Sequence, residues 1–395
     1  MAYDVRLMRP DERPAAWEMI RIAFGAEREV PPWWRGDRPG RSDWAVFDDA
    51  GRMVAKASDR HQGHWFGGRL VPACGIAGVI VAPELRGTGL ARLVLTHLLH
   101  AARDRGAALA TLFRTAPGLY RRLGCEEVGA RTWTEVPAAA LATVPRPERF
   151  ELRAAVAGDV PAVQELFREI ARASNGIMER AAPLVDTSPE AVLAEVDGIT
   201  LAVGPGGAID GYASWDREGS YDDTGRLRVV DLVGRTADAT RALLAMLGTW
   251  VTVTPKIVVR LAESDPAWLL APLAGTRVEQ RDPWMLRVLD APAAVAARGW
   301  PPHLSGAVDL LIEDKTCPWN AGPHRLVLEG GTGRLEPGGS GAVRLAVRGL
   351  AVLYAGAASP AVLHRAELLD GGDEEADACL AAASAGPPPV LLDYF

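Results

Sequence analysis

One stretch of the sequence has the residue types and the order needed to bind a ligand that carries phosphates. Residues 79–90 read Val-Ile-Val-Ala-Pro-Glu-Leu-Arg-Gly-Thr-Gly-Leu: an apolar run of strand type, a turn with one arginine and two glycines, and the start of a helical pattern. Glycine lets the backbone approach a ligand closely, and the first N–H groups of a helix point towards an anion. The stretch therefore predicts a strand–turn–helix cradle for a diphosphate, to which Arg86 adds a positive charge.

This turn does not fit the dinucleotide-binding pattern Gly-x-Gly-x-x-Gly. Counted from Gly87 and Gly89, the third glycine of that pattern falls at residue 92, which is arginine. A Rossmann-type dinucleotide site is therefore a poor match. The residues that we expect to contact the bound cofactor are Val79, Ile80, Val81, Arg86, Gly87, Thr88, Gly89 and Leu90.

A single tyrosine, Tyr120, is a candidate proton donor. It lies in the segment 117–124, Pro-Gly-Leu-Tyr-Arg-Arg-Leu-Gly, which predicts a short helical turn after an apolar strand at 108–113. The phenol of tyrosine has an unperturbed pKa of about 10, so it is protonated at neutral pH and can give a proton to a leaving group. The alternative is a core tyrosine whose hydroxyl is satisfied by a neighbouring group.

The end of the sequence, residues 390–395, reads Val-Leu-Leu-Asp-Tyr-Phe. Chain ends are normally polar and frayed, so an apolar and aromatic ending predicts a tail that docks against the rest of the protein. Such a tail carries two acidic groups with it, the side chain of Asp393 and the terminal carboxylate of Phe395. Two interpretations stay open, a tail that only packs and a tail whose carboxylate takes part in chemistry.

The charge and the apolar content of the chain exclude two classes of partner. A net charge of −7 argues against a general nucleic-acid binder, which carries a basic face, and it suits a cationic substrate. No stretch reaches 18 uninterrupted apolar residues, and the first residues carry charges where a signal peptide needs an apolar run. We therefore predict a cytoplasmic protein that neither spans a membrane nor binds nucleic acid.

The residue types that usually bind metals are not grouped in this sequence. His61 and His64 stand three apart without a third ligand in reach along the chain, so we predict no metal site. The four cysteines form no Cys-x-x-Cys pair, and free thiols in a reducing compartment are expected of them. These cysteines are Cys74, Cys125, Cys317 and Cys379.

The elements that must position these residues occur in an order that repeats. Residues 1–147 predict a strand, a helix after Asp11, further strands, the glycine-rich turn with its helix, and closing strands. Residues 148–287 predict a similar order from Phe150 onwards, but Val-Gly-Arg-Thr at 233–236 replaces the glycine-rich turn, so this second copy is degenerate. Residues 288–395 predict a small α+β domain with a curved antiparallel sheet.

Three segments carry a resemblance to a known family. Residues 85–90, Leu-Arg-Gly-Thr-Gly-Leu, resemble a shortened form of the acetyl-CoA motif Arg/Gln-x-x-Gly-x-Gly/Ala of the GNAT acetyltransferase superfamily. The segment 117–124 resembles the Tyr-x-Arg-Phe-Gly segment of the enhanced intracellular survival (Eis) acetyltransferases. Residues 284–294 and 349–356 are similar to the sterol-carrier-like C-terminal domain of that family.

The resemblance implies a fold and a cofactor. The fold is of mixed α+β and α/β class, with two tandem GNAT units, the second degenerate, and a sterol-carrier-like domain whose tail is inserted in the active site. The cofactor implied is acetyl-CoA, with no metal, and the assembly implied is a homo-oligomer, a hexamer. Backbone N–H groups of residues 79–81, above all that of Val81, would bind the pantetheine arm and the thioester oxygen.

The resemblance also implies roles for single residues. Tyr120 is the general acid, and the terminal carboxylate of Phe395 is the base, acting directly or through a water. The family typically has an acid immediately before its last phenylalanine, whereas here that position is Tyr394 and the acid is Asp393. In an extended tail, this shift of one residue points the carboxylate the other way. Candidate substrate-contacting residues are Trp33, Trp34, Glu27 and Asp393.

The function that we expect is acetyl-CoA-dependent N-acetylation of an amine. The acceptor is a cationic small molecule, such as an aminoglycoside or another polyamine, or a lysine side chain of a peptide. One alternative is a lipid- or sterol-binding protein with vestigial GNAT units. The other is an acetyltransferase that acts on protein N-termini or lysines.

Overall fold

The computed structural model describes residues 3–36, 38–222, 224–272 and 274–395. The first unit contains β1 (Asp4–Leu7), α1 (Arg13–Phe24), α2 (Pro32–Arg35), β2 (Arg41–Phe47), β3 (Met53–Phe66), β4 (Arg69–Val81), α3 (Leu90–Asp104), β5 (Leu109–Phe113), α4 (Pro117–Arg122), β6 (Glu126–Pro137) and α5 (Ala138–Leu141). Within the described ranges, no helix has both the length and the apolar content needed to cross a membrane.

The second unit repeats the order of the first. It contains β7 (Glu151–Ala154), α6 (Val160–Arg172), α7 (Pro189–Ala194), β8 (Gly198–Val203), β9 (Ile209–Glu218), β10 (Arg226–Gly234), α8 (Ala237–Gly248), β11 (Lys256–Arg260), α9 (Ala267–Leu270) and β12 (Arg277–Val288). By position along the chain, β10, α8 and β11 correspond to β4, α3 and β5.

The two units share one sheet of twelve strands, in the order β1-β2-β3-β4-β5-β12-β6-β11-β10-β9-β8-β7. The last strand of each unit is exchanged: β12 of the second unit pairs with β5 of the first, and β6 of the first pairs with β11 of the second. Each unit therefore needs a strand of the other to complete its sheet, and β12 continues one residue beyond the division predicted at 287.

Helix α3 forms because its apolar residues recur every three or four positions and so lie on one face. Leu90, Val94, Leu98 and Ala102 on this face are buried against one side of β2–β4, together with Ala57 of β3. The other side of the same strands is covered by α1 and α2. The sheet thus keeps α3 and its turn on one side of β2–β4 and keeps α1 and α2 on the other.

The third domain packs onto the first unit. It contains α10 (Ala291–Ala297), β13 (Gly306–Glu313), β14 (Gly322–Glu329), β15 (Thr332–Pro337), β16 (Val343–Ala346), α11 (Val347–Ala355), α12 (Pro360–Arg365), β17 (Leu369–Gly371) and α13 (Glu374–Ser384). Its sheet is mixed and not purely antiparallel as predicted, because the chain returns after the β14–β15 hairpin and lays β16 parallel to β13. Buried Arg287 of β12 pairs with buried Asp314, at 2.6 Å, and ties this domain to the sheet.

The tail after α13 leaves the third domain and runs between the two units. Val390 donates its N–H to the carbonyl of Asn175 at 2.8 Å and bridges Ala130 of β6. Gly129 and Gly176 make room for this tail, since a Cβ on either one would lie 2.2 and 2.7 Å from carbonyl oxygens of the tail. The end of the chain is thus held in a fixed register between the units.

Candidate active site

A wedge opens between β4 and β5 in the first unit. The two strands pair in parallel over only three residue pairs, the last of which is Gly75 with Thr111, while β4 continues to Val81. Against β3, β4 carries one extra residue between Ala77 and Ile80, which is a β-bulge. A bulge increases strand twist, so β4 turns away from β5 and its edge beyond Gly75 is left without a strand partner.

The turn after β4 presents free backbone N–H groups to the same end of the wedge. Gly89 is the N-cap of α3, at a φ of +93°, and no side chain caps the helix. Gly87, at a φ of +82°, and Gly89 both face open space. The first N–H groups of a helix lack internal acceptors, and the helix dipole adds partial positive charge there. Strand end, turn and helix start thus form the cradle that the sequence predicts.

The residues predicted to contact the cofactor lie in this cradle. Val79, Ile80 and Val81 belong to the part of β4 beyond the β5 ladder. Arg86 and Thr88 are exposed on the turn, and the side chain of Leu90 is buried under α3, which leaves only its N–H to a ligand.

The second unit keeps the wedge but lacks the cradle. β10 and β11 pair in parallel up to Val229 and Val259, and β10 continues to Gly234 with a bulge before Asp231. However, the N-cap of α8 is Thr236, whose hydroxyl oxygen accepts the N–H of Ala239 at 3.1 Å. The start of this helix is therefore capped by its own side chain, which explains in physical terms why this copy is degenerate.

An ion-pair network occupies the wedge of the second unit. Asp231 accepts hydrogen bonds from Arg180, Arg260 and Tyr212 at 2.6–3.1 Å. Burial alone would raise the pKa of the Asp231 carboxyl, but the two guanidinium groups hold this pKa below its ordinary value. Arg180 also donates to both oxygens of Asp393, at 2.9 and 3.0 Å, which ties the C-terminal tail into the network.

Replacing Asp231 by asparagine is expected to lower the free energy of unfolding by roughly 3–5 kcal/mol, because two buried guanidinium groups lose their counter-ion. The matched control is Glu218→Gln, which breaks the more exposed pair with Arg226 and should cost less than about 1 kcal/mol. Thermal unfolding at pH 7 measures both. Since the pKa of Asp231 is lowered by folding, its contribution is complete above the unfolded pKa of about 3.9 and is lost at lower pH. Equal melting temperatures for the two variants would contradict this.

Tyr120 lies in α4, directly after the wedge. Its side chain is only 3% exposed, and its hydroxyl is hydrogen-bonded to the side chain of Thr115. Burial raises the pKa of the phenol above its ordinary value, so the hydroxyl stays protonated at physiological pH. The helix is held in place from outside, because Glu126 pairs with both Arg121 of α4 and Arg348 of the third domain.

The last two residues of the chain pack on the end of β5. The ring of Tyr394 stacks on Phe113 at 4.5 Å, and the ring of Phe395 lies 5.4 Å from Phe113 and 6.2 Å from His64. Phe113 ends β5 and therefore lies at the wedge. Among the described residues, no basic side chain forms an ion pair with the terminal carboxylate of Phe395. Phe395 thus packs on the last residue of β5, and Tyr120 belongs to α4, which begins four residues after Phe113.

Several candidate substrate residues are used elsewhere. Trp34 is 4% exposed and donates its indole N–H to the carbonyl of Arg13, so it packs in the core under α1 and does not line an open pocket. Trp33, at 62% exposure, and Glu27 lie on the surface. Asp393 is paired with Arg180. Contact of these four residues with the substrate stays a prediction: Trp34 is engaged in packing, whereas Asp393, although paired with Arg180, also lines a cavity next to the tail.

A row of polar side chains on β3 was missed by the sequence predictions. The residues at every second position of this strand lie on the face opposite α3, and the alternation of polar with other residues was the available signal. Gln62 and Thr111 share a hydrogen bond at 3.1 Å, and both contact His64. Burial lowers the pKa of His64 to about 4, so this imidazole is neutral. The row consists of Lys56, Ser58, Arg60, Gln62 and His64.

Lys56 supports the bulge from this row. Its ammonium donates to the carbonyl of Gly78, at 3.2 Å, and burial lowers the pKa of the amine to about 8. Gly78 lies in the bulge with a φ of +55°. In contrast, His61 points to the other face of β3 and contacts Ser42, so it shares no site with His64. In the described part of the chain, no three His, Cys, Asp or Glu side chains lie close enough to hold a metal ion.

A cavity of about 730 Å³ lies beyond the tail. Its walls come mainly from α6, α7 and β8–β10 of the second unit, and Arg60 of β3 and Trp133 of β6 close it on the side of the first unit. Asp393 and Tyr394 form the wall next to the terminal residue. The volume is in the range of small-molecule sites, and the position next to Phe395 suits an acceptor substrate.

Comparisons with known proteins match each part of the chain. The acetyltransferase (GNAT) domain is matched at residues 4–128 and again at 176–288, and the sterol carrier protein domain at 291–391. An uncharacterized N-acetyltransferase of Streptomyces avermitilis is 28% identical over 98% of both chains. The crystal structure of a GCN5-related N-acetyltransferase from Kribbella flavida is 30% identical, with a TM-score of 0.86 over 100% of this chain and 98% of that one. Eis1 from Mycobacterium abscessus shares the fold, with 21% identity and a TM-score of 0.79 over both full chains.

Proposed function

Since this chain belongs to the GCN5-related N-acetyltransferase (GNAT) family, we propose that its first unit transfers an acetyl group from acetyl-CoA to an amine. The observation that carries this proposal is the uncapped start of α3, which lies beside the open wedge between β4 and β5. The corresponding helix of the second unit, α8, is capped by Thr236. Of these two helices as described, α3 is the one that begins without a side-chain cap and can offer its first N–H groups to a diphosphate.

The residues of the first unit suit both the diphosphate and the thioester of acetyl-CoA. Arg86, Gly87 and Gly89 would hold the diphosphate at the start of α3, and the pantetheine arm would add to the free edge of β4. The N–H of Val81, or of another residue in 79–81, would polarise the thioester carbonyl. An N–H that points at a developing oxyanion can lower the activation free energy by roughly 3 kcal/mol.

Two further groups would move the protons. The amine attacks the thioester carbonyl, a C–N bond forms, and the C–S bond breaks. The terminal carboxylate of Phe395 takes the proton that leaves the amine, directly or through a water, and the Tyr120 hydroxyl gives its proton to the departing thiolate. The raised pKa of Tyr120 and the clamped position of the tail support these roles.

The acceptor is defined less closely than the donor. The sequence predicts a cationic small molecule, such as an aminoglycoside or another polyamine, or a lysine side chain. The net charge of −7 supports a cationic acceptor. Two predicted acidic residues do not support a cationic acceptor, because neither has a free carboxylate beside the wedge. Asp393 is paired with Arg180, and Glu27 lies exposed on the surface.

The assembly that we propose is the hexamer implied by the Eis resemblance. Within one chain, the two units share a sheet, and the third domain shares a hydrophobic core with the first unit. Light scattering after size exclusion gives the number of chains directly.

Replacing Gly89 by aspartate is expected to weaken the binding of acetyl-CoA roughly 10- to 100-fold, because a carboxylate and a Cβ are placed where the diphosphate meets the helix N–H groups. The matched control is Gly106→Asp, beyond the other end of α3. Gly106 has a φ of +95° against +93° at Gly89, and both positions face open space, so the backbone cost is the same. Isothermal titration calorimetry measures the dissociation constants.

Equal affinities of the two glycine variants for acetyl-CoA would contradict the proposed cradle. If the unchanged protein ignores acetyl-CoA in calorimetry but is stabilised by fatty acids or sterols in thermal shift, the alternative of a lipid-binding protein is favoured.

A further inference from the structure

Arg60 of β3 lines the cavity beyond the tail and lies close to the point where the wedge between β4 and β5 opens. In the β3–β4 ladder it is the register partner of Gly75, which is the last residue of β4 to pair with β5. Neighbouring strands are about 4.8 Å apart, so Arg60 is one strand away from the opening. It shares its face of β3 with His64, whose ring contacts that of Phe395.

This arginine is a partly buried cation for which no counter-ion is found among the described residues. Among the described residues, no hydrogen-bond or ion-pair partner is found for its side chain, and its Nε is buried without an acceptor. Two further cations act on it: Arg41 is its direct register partner on β2, and Arg38, which pairs with Asp43 at 2.9 Å, lies close by. Burial, followed by these two cations, lowers the pKa of Arg60 to about 10. A buried charge without a partner is costly, so an arginine in this position favours an incoming anion.

The other arginines around the same cavity are all paired. Arg168 pairs with Glu165 and Glu179. The remaining pairs are Arg131–Asp282, Arg180–Asp231, Arg180–Asp393, Arg228–Glu218 and Arg260–Asp231.

The carboxylates of the cavity wall do not compensate Arg60. Glu179, Asp231 and Asp393 are taken by the arginines above, and Asp186 and Asp216 accept backbone N–H groups. Glu195 is exposed to solvent. Arg60 is therefore the one arginine among the described residues lining this cavity that has no ion-pair partner, and no carboxylate of the wall pairs with it.

We propose that the natural acceptor is an amine that also carries a carboxylate, and that Arg60 binds this carboxylate. A guanidinium group offers two parallel N–H donors that match the two oxygens of a carboxylate. A polyamine without an anionic group would instead bring positive charge against Arg60. The proposal rests on the acetyltransferase function proposed above and departs from its polycationic acceptor, because the acceptor inferred here carries an anionic group.

The apolar residues of the cavity wall favour an acceptor with an apolar group between its amine and its carboxylate. Besides its charged residues, the lining includes apolar side chains of α6, α7, β8 and the turn between α7 and β8, namely Val163, Phe167, Val192, Val196 and Ile199. An aromatic or aliphatic spacer between amine and carboxylate fits such a wall. Suitable probes are 4-(aminomethyl)benzoate and 6-aminohexanoate, each compared with its own primary amide.

The test compares acceptors that differ only in charge. With thiol release from acetyl-CoA as the readout, kcat/KM of the full-length protein is expected to be roughly 10- to 100-fold higher for each carboxylate than for its amide. In Arg60→Gln this ratio should fall towards one, with the affinity for acetyl-CoA unchanged, and Arg60→Lys should keep part of it. The matched control is Arg168→Gln, which removes a paired arginine of the same cavity and should leave the ratio unchanged.

A binding measurement without turnover completes the test. The amine-free analogue 4-methylbenzoate should stabilise the wild-type protein in thermal shift and should not stabilise Arg60→Gln. The variant itself should melt at or above the wild-type temperature, since it removes a buried unpaired charge. An aminoalkyl phosphate in the panel separates a preference for carboxylate from a preference for any anion, and a phosphate preferred over both carboxylates would overturn the assignment.

Failure of this proposal differs from failure of the function. Thiol release with amides and polyamines at the same kcat/KM as with the carboxylates, or an unchanged ratio in Arg60→Gln, would overturn the carboxylate acceptor and leave the acetyltransferase intact. No heat of binding with acetyl-CoA and no thiol release with any acceptor would remove the acetyltransferase itself, and the acceptor proposal with it.

Discussion

Addition of a single glycine after Phe395 is expected to lower the turnover number at least about a hundredfold. The tail cannot slide to make room, because Val390 is bonded to Asn175 and bridges Ala130, and Leu391 is fully buried. An added residue therefore moves the terminal carboxylate away from the wedge and fills the space next to β5. Loss of a positioned base typically costs 10²- to 10⁴-fold in rate. Thiol release at saturating acetyl-CoA measures the effect.

The control for this variant is the same glycine added at the other end of the chain, before residue 1. Since the anchor at residues 389–391 is unchanged, the melting temperature of the extended protein should match that of the control. Full turnover by a protein with an extended or tagged C-terminus would exclude the terminal carboxylate as the base, and the tail would then only pack.

Replacement of Tyr120 by phenylalanine is expected to lower the turnover number by roughly 10²- to 10⁴-fold and to leave the affinity for acetyl-CoA nearly unchanged. The phenyl ring fills the same buried space, so the loss is that of one proton donor. Because burial raises the pKa of Tyr120, the wild-type enzyme should keep this donor protonated up to alkaline pH, and a decline of turnover due to its ionisation should appear only above about pH 10.

A second buried tyrosine provides the matched control. Tyr354 is as buried as Tyr120, and its hydroxyl donates to the carbonyl of Ala294 in the third domain, away from the wedge. Tyr354→Phe removes one buried hydroxyl at a similar structural cost, and its turnover should stay at the wild-type level. If both variants lose the same activity, or if Tyr120→Phe loses none, Tyr120 is not the acid.

The family resemblance, the fold class and the transferase class could be predicted from the sequence and are confirmed by the domain matches and the similar structures. The cradle at residues 79–90 was predictable because it is contiguous: strand, turn and helix start follow one another, and the glycines specify the backbone of the turn locally. The cap of α8 also depends only on neighbours in the sequence, since Thr236 and Ala239 are three residues apart. These features depend on neighbours along the chain.

Contacts between distant residues were decided by the tertiary structure alone. The exchange of β6 and β12, the pairing of Asp393 with Arg180 and the burial of Trp34 each join segments whose register no local pattern specifies. The unpaired state of Arg60 is of the same kind, because an ion pair depends on the folding of both partners. The sequence by itself determined the strand, turn and helix start that we propose for the diphosphate, because these residues are contiguous, whereas packing at long range decided which charged side chains remain unpaired.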